Sequence, residues 1–229
     1  MFEHAYSAGT LQRQCSGTGD GRPSPRAPLG VALTCVLALA LVWVVVNQVP
    51  AVHYRDADTL YRFTLLSRPR LDEAMNFLLH LLDPLQFVLW GTALVALALA
   101  RSRPRVAVAM VAVMSLAPLT AETLKPLLAE PHDVVGGVFV GPASWPSGHA
   151  TAALSLVLAA LLACPSRLRP LVAGVGAAFV LAVGCSLLVL HWHMPSDVLG
   201  GYLVATCWAA LAVAALRASE RRWPTSHPL

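Results

Sequence analysis

Charge is scarce in this chain. Asp, Glu, Lys and Arg make up 12% of its 229 residues while 57% are hydrophobic, and the mean hydropathy is +0.65. An ordinary soluble domain carries about 25% charged residues, so that class is excluded. The formal net charge of +4 carries no nucleic-acid signal, because in a membrane chain the basic residues are placed by topology and are counted loop by loop. Paired cysteines are lacking too. Cys15, Cys35, Cys164, Cys185 and Cys207 are scattered without CxxC spacing, which leaves no disulfide framework and no zinc site. Nor is there a carboxylate cluster of the kind that holds Mg²⁺, so neither metal nor cofactor is expected.

What the chain does have is long apolar runs. A helix needs about 20 mostly apolar residues to cross the bilayer, and six stretches reach or approach that length: 28–49, 83–100, 105–124, 149–163, 170–190 and 198–216. The second extends backwards through "MNFLLHLL" and the fourth is short. The expected architecture is all-α, a polytopic bundle of six transmembrane helices over 28–217. It is preceded by a Gly/Ser/Pro-rich tail, 1–27, of disordered composition and followed by a short basic tail, 218–229. The first run is longer than a signal-peptide core and no A-x-A site follows it, so it reads as a retained span. Eleven basic residues fall on one side of these runs against five on the other. The positive-inside rule then predicts two cytoplasmic termini, and puts the loops after the third and fifth spans outside.

Those two outward loops hold three polar pieces. Pro146-Ser147-Gly148-His149 opens the fourth span. Ser147 suits a helix N-cap, and the amides around Gly148, at the positive end of a helix dipole, suit an anion; the plainer reading is a cap with a wet interfacial histidine. His193 and Asp197 stand four residues apart before the sixth span, a spacing that lets a carboxylate fix the tautomer of an imidazole, or simply cap. Lys125 ends the third span, one turn after Glu122; it either snorkels or meets a phosphate. Asp83 with Pro84 reads as N-cap and first residue of the second span. Together the three pieces supply a cation, an anion-binding helix start and two histidines, the parts of phosphoryl transfer through a phosphohistidine.

The order Lys125, then Pro146-Ser147-Gly148-His149, then Ser186, His193 and Asp197 resembles the type-2 phosphatidic-acid phosphatase superfamily. The resemblance implies a six-helix membrane phosphatase without a metal, in which His193 is the nucleophile, Asp197 orients it, and His149 serves as acid and base. Lys125, Ser147, Gly148, Ser186 and His132 would bind the phosphoryl group. Two family arginines are absent: His132 and Asp133 stand where the first motif has Arg-Pro, and Leu187 stands where the third has Arg. His132, His191, Arg68 and Arg70 are the candidates to compensate. The expected function is hydrolysis of a lipid phosphate or diphosphate, of polyprenyl diphosphate or phosphatidate type, at the outer leaflet of the cell membrane. Its partners are the lipid substrate and the membrane. The rival is a pseudo-phosphatase that keeps the fold to bind head groups or scaffold other proteins. A small transporter is disfavoured, because neither internal repeats nor paired broken helices are present.

Overall fold

The computed structural model describes residues 24–131 and 134–223. The described residues form eight α-helices: α1 (Arg26–Gln48), α2 (Pro50–Thr64), α3 (Pro69–His80), α4 (Pro84–Ala100), α5 (Pro104–Leu127), α6 (Gly148–Ala163), α7 (Arg169–Val189) and α8 (Pro195–Arg222), with one 3-10 turn, Ser166–Leu168. Proline opens α2, α3, α4, α5 and α8 at the first helical position, where its missing N–H costs nothing and its fixed φ already suits the helix.

Each of the six apolar runs is helical. By length and composition α1, α5, the segment Ser166–Val189 and α8 are able to cross a membrane, and α3 with α4 makes a fifth candidate as a broken pair. The run expected to continue backwards from Asp83 does continue, as α3, but with a bend of 54°. Pro84 accounts for part of this, because a residue before proline is pushed out of the α region and Asp83 has ψ 153°; Asp83 sits at the N-cap position, yet it makes no side-chain cap bond. Its Oδ2 lies 2.9 Å from His80 Nδ1 instead. At 16 residues α6 is about 24 Å long, less than the roughly 30 Å of hydrocarbon. The expected six spans therefore stand at four, or five with the broken pair.

Apolar side chains point outward over much of the bundle. Leu33, Leu37, Leu41, Leu85, Val108 and Leu181 are all exposed, as lipid-facing helices require. Small residues serve the interior: α5, α6 and α8 pack against one another through Ala117, Ala121, Ala153, Ala159, Ala205 and Ala209. Helix α1 lies on α8 through Pro28, Ala32 and Cys35, one stripe of its surface.

Helix α2 and the first turns of α3 lie in a segment the sequence pattern leaves as a loop. In α2, Ala57 and Leu60 are buried, and in α3 Leu79 is; they join Val183 and Leu187 of α7 in one apolar cluster. This cluster fastens α2 and α3 over the end of the bundle where α6 and α8 begin.

Candidate active site

The link between α7 and α8 is five residues long, and its backbone aims His193. Leu190 caps α7, His191 follows in the left-handed region with φ 50°, and two amides turn back: His191 N to Leu188 O at 3.1 Å and Trp192 N to Leu187 O at 2.9 Å. That is a Schellman motif, usually completed by glycine. Histidine tolerates the position better than most side chains.

The chain then enters α8 under the control of Asp197. This side chain is fully buried. Its Oδ2 accepts the Met194 amide at 2.9 Å and lies 3.2 Å from His193 Nδ1. One oxygen thus closes a capping box and orients an imidazole, so that Nε2 is the nitrogen left for chemistry. Asp197 Oδ1 is buried with no hydrogen-bond partner among the described residues. A carboxylate in such surroundings gains from a positive charge developing on the ring beside it.

Helix α6 starts against α8. Ser147 is its N-cap and accepts the Ala150 amide at 3.3 Å. The Ser147 amide donates to Asp197 O at 2.9 Å, and the Thr151 hydroxyl lies 2.7 Å from Ser147 O and 3.2 Å from Gly201 O. Glycine is required at 201: a Cβ there would stand 2.6 Å from Ser147 O. His149, in the first turn of α6, packs edge-on against Trp192 with ring centroids 5.6 Å apart. It interacts electrostatically with His193, Asp83, Lys125 and Glu122. His149 therefore stands in one neighbourhood with His193 of the α7–α8 link and with the charged side chains of α5, Lys125 among them.

The cation of that neighbourhood is already engaged. Lys125 Nζ lies 2.7 Å from Glu122 Oε1. A Cβ at Gly148 would meet the same Glu122 oxygen at 2.5 Å and the ammonium at 3.4 Å. Glycine is what lets this ion pair lie across the start of α6, where an anion would sit.

A carboxylate from α2 completes the arrangement. Asp56 Oδ1 accepts the Ser196 amide at 3.2 Å, and Oδ2 accepts the Ser196 hydroxyl at 2.6 Å. It caps the first turn of α8 from outside and thereby positions the His193–Asp197 pair. Burial pushes the Asp56 carboxyl up, the Ser196 hydroxyl pulls it partly back, and the nearby Asp197 charge adds to the rise. Sequence reasoning passed over Asp56, which is separated from Ser196 by 140 positions. No local spacing joins the two.

The other expected residues are placed less favourably. The Ser186 hydroxyl is buried and donates to Ala182 O at 2.8 Å, so its proton is in use. His132 lies outside the described residues. Arg68 turns its guanidinium to Leu65 O and Ser67 O, in its own loop. His191 serves the turn through its backbone. Among the described residues no group of three or more His, Cys, Asp or Glu side chains converges as a metal site would.

Two histidines, one bound to a buried carboxylate, an N-capped helix start and a lysine are matched by a sequence family. The family model described as the PAP2 superfamily matches residues 106–221, more than half of the chain and the whole stretch from Lys125 to Asp197. The chain belongs to the PAP2 superfamily. A solved structure with a similar fold is that of the first transmembrane PAP2 type phosphatidylglycerolphosphate phosphatase from Bacillus subtilis. It aligns with TM-score 0.71 over 86% of this chain and 98% of that one, at 19% identity. No curated protein sequence matches. Membership makes the chain a multi-pass membrane protein of a phosphatase-type hydrolase family. Leu187, where the resemblance places an arginine, is fully buried in one apolar cluster with Leu60 and Leu79.

Proposed function

We propose that the protein is a membrane phosphatase that hydrolyses a lipid phosphate or diphosphate, of polyprenyl diphosphate or phosphatidate type, through a phosphohistidine. The observation that carries this reading is the Asp197 carboxylate, bound to His193 at 3.2 Å on the same helix start to which the N-cap of the His149 helix is tied. His193 Nε2 attacks phosphorus; the N–P bond forms as the bond to the lipid oxygen breaks. His149 gives its proton to that departing oxygen. It then takes a proton from water as the water oxygen attacks phosphorus, the N–P bond breaks and inorganic phosphate leaves. Asp197 compensates the charge that grows on the His193 ring. Lys125, Ser147 and the amides near Gly148 hold the phosphoryl oxygens, Lys125 exchanging Glu122 for the substrate.

In this reading α6 is a short sixth crossing, both termini are cytoplasmic, and the histidines face the outer leaflet. The asymmetry in basic residues supports that orientation, and a site between span ends suits a phosphate that stays anchored in the bilayer. The burial of Leu187 favours a second reading, in which the pocket binds head groups without turnover. Phosphate release by the purified protein from farnesyl diphosphate and from dioleoyl phosphatidate separates the two. The expected result is release from at least one lipid, reduced about a thousandfold or more by His193→Ala. No release, or release that survives the substitution, assigns the pocket to binding alone.

A further inference from the structure

At the end of the bundle opposite the histidines, a cavity of about 630 Å³ opens between α1, α6 and α8. It is lined by apolar side chains such as Leu158, Leu162 and Val213, and by Arg103, Arg169 and Arg217. Three guanidiniums thus share an apolar slot, and among the described residues none of them has a carboxylate partner in an ion pair. Two are placed where their charge is least favourable. Arg103 is the N-cap of α5 and Arg169 the first residue of α7, so each adds a cation to the positive end of a helix dipole. Burial and the charges of Arg101 and Arg169 lower the pKa of Arg103, the response of a cation short of an anion. Two of the three are held by helix ends, Arg103 to Leu162 O at 3.2 Å and Arg217 to Ser24 O at 3.1 Å. Those bonds leave their other N–H groups free to fork onto a phosphate.

We propose that this cavity is a binding site for an anionic glycerophospholipid of the adjacent leaflet. Its phosphodiester sits among Arg103, Arg169 and Arg217, and one acyl chain fills the slot between α1 and α8. The arginines and both helix N-termini account for the head group, and the apolar lining accounts for a lipid instead of a free anion. Basic pockets between membrane helices take such head groups through the same combination of charge and hydrocarbon contact. The volume lies within the range of about 300–1,000 Å³ typical of ligand sites. The site is separate from the histidines and stands whether or not they turn over a substrate.

Native mass spectrometry of the purified full chain, with phosphatidylglycerol, phosphatidylcholine or inorganic phosphate added, tests this. The wild type should retain one phosphatidylglycerol about tenfold better than phosphatidylcholine, with a preference that weakens as salt rises. Inorganic phosphate should not displace it. Replacing the three arginines together by Gln should erase the preference, and His193→Ala should leave it unchanged. Arg169→Gln alone affects an exposed side chain and keeps the fold, so it serves if the triple variant does not fold; it should reduce the preference about threefold. Equal retention of the two lipids, retention unchanged by Arg169→Gln, or displacement by inorganic phosphate would overturn the proposal.

Discussion

The side of the site around His193, the proposed nucleophile, and the side proposed to hold phosphate are built to different standards. Beside His193 the buried Asp197 is doubly used: its Oδ2 both caps α8 and binds the ring, and Asp56 holds the same turn from outside. On the α5 side, the one lysine is paired with Glu122, whose side chain is 57% exposed, and Leu187, where the resemblance places an arginine, is packed in the core. The proposed phosphoryl transfer needs both sides. In that proposal the thinned side governs how tightly the phosphoryl group is held, since one lost transition-state donor costs about 100- to 1,000-fold in rate.

Restoring the family residue in place is the most disruptive way to probe that difference. Leu187→Arg would put an unpaired guanidinium among Leu60 and Leu79, at a cost of about 3–5 kcal/mol. A loss of thermal stability without a gain in phosphate release is the expected result; an intact, faster variant would mean that the side chain reaches the pocket.

Smaller effects come from the well-built side. Asp56→Ala leaves the Ser196 amide and hydroxyl without their acceptor, costing about 1–3 kcal/mol; it should lower activity beyond the loss in folded protein, because the His193–Asp197 turn loosens. Asp56→Asn keeps an acceptor and removes a charge that burial disfavours, so it should melt at or above the wild-type temperature near neutral pH. The sign of the pH effect follows from the raised pKa. The folded chain takes up this proton at higher pH than the unfolded chain, so wild-type stability rises as pH falls through the folded value, and levels off below the unfolded one. Melting curves across that range should show the slope in the wild type and a weaker one in Asp56→Asn.

The mildest change acts on the thin side. Glu122→Gln frees Lys125 for substrate and should lower KM about threefold with little effect on kcat, an electrostatic gain that shrinks in added salt. An unchanged KM would place the Glu122–Lys125 pair outside the path of the phosphate.

The sequence revealed the helices and the two local motifs because both are short-range signals. Apolar runs mark α1, α5, α7 and α8 without reference to anything else, and the spacings of Ser147 to Ala150 and of His193 to Asp197 are those of one helical turn. What the sequence hid is long-range. Asp56 meets Ser196 only after α2 has folded back over α8, and α2 and the first turns of α3 are too weakly apolar to stand out from a loop. Asp83 and Pro84 take the N-cap and first positions of α4 as the local rule predicts, but His80, one turn earlier, holds the carboxylate that the helix start would have used. The left-handed His191 was equally hidden, because the turn it completes is ordinarily marked by glycine.

The amide of Ser147, anchored on the carbonyl of Asp197, has a mechanical consequence. It ties the start of α6 to the start of α8, so the backbones that carry His149 and His193 shift together. Under the proposed function, breathing that admits a lipid falls to parts not tied to that joint, and the elbow between α3 and α4 is a place where the chain already bends.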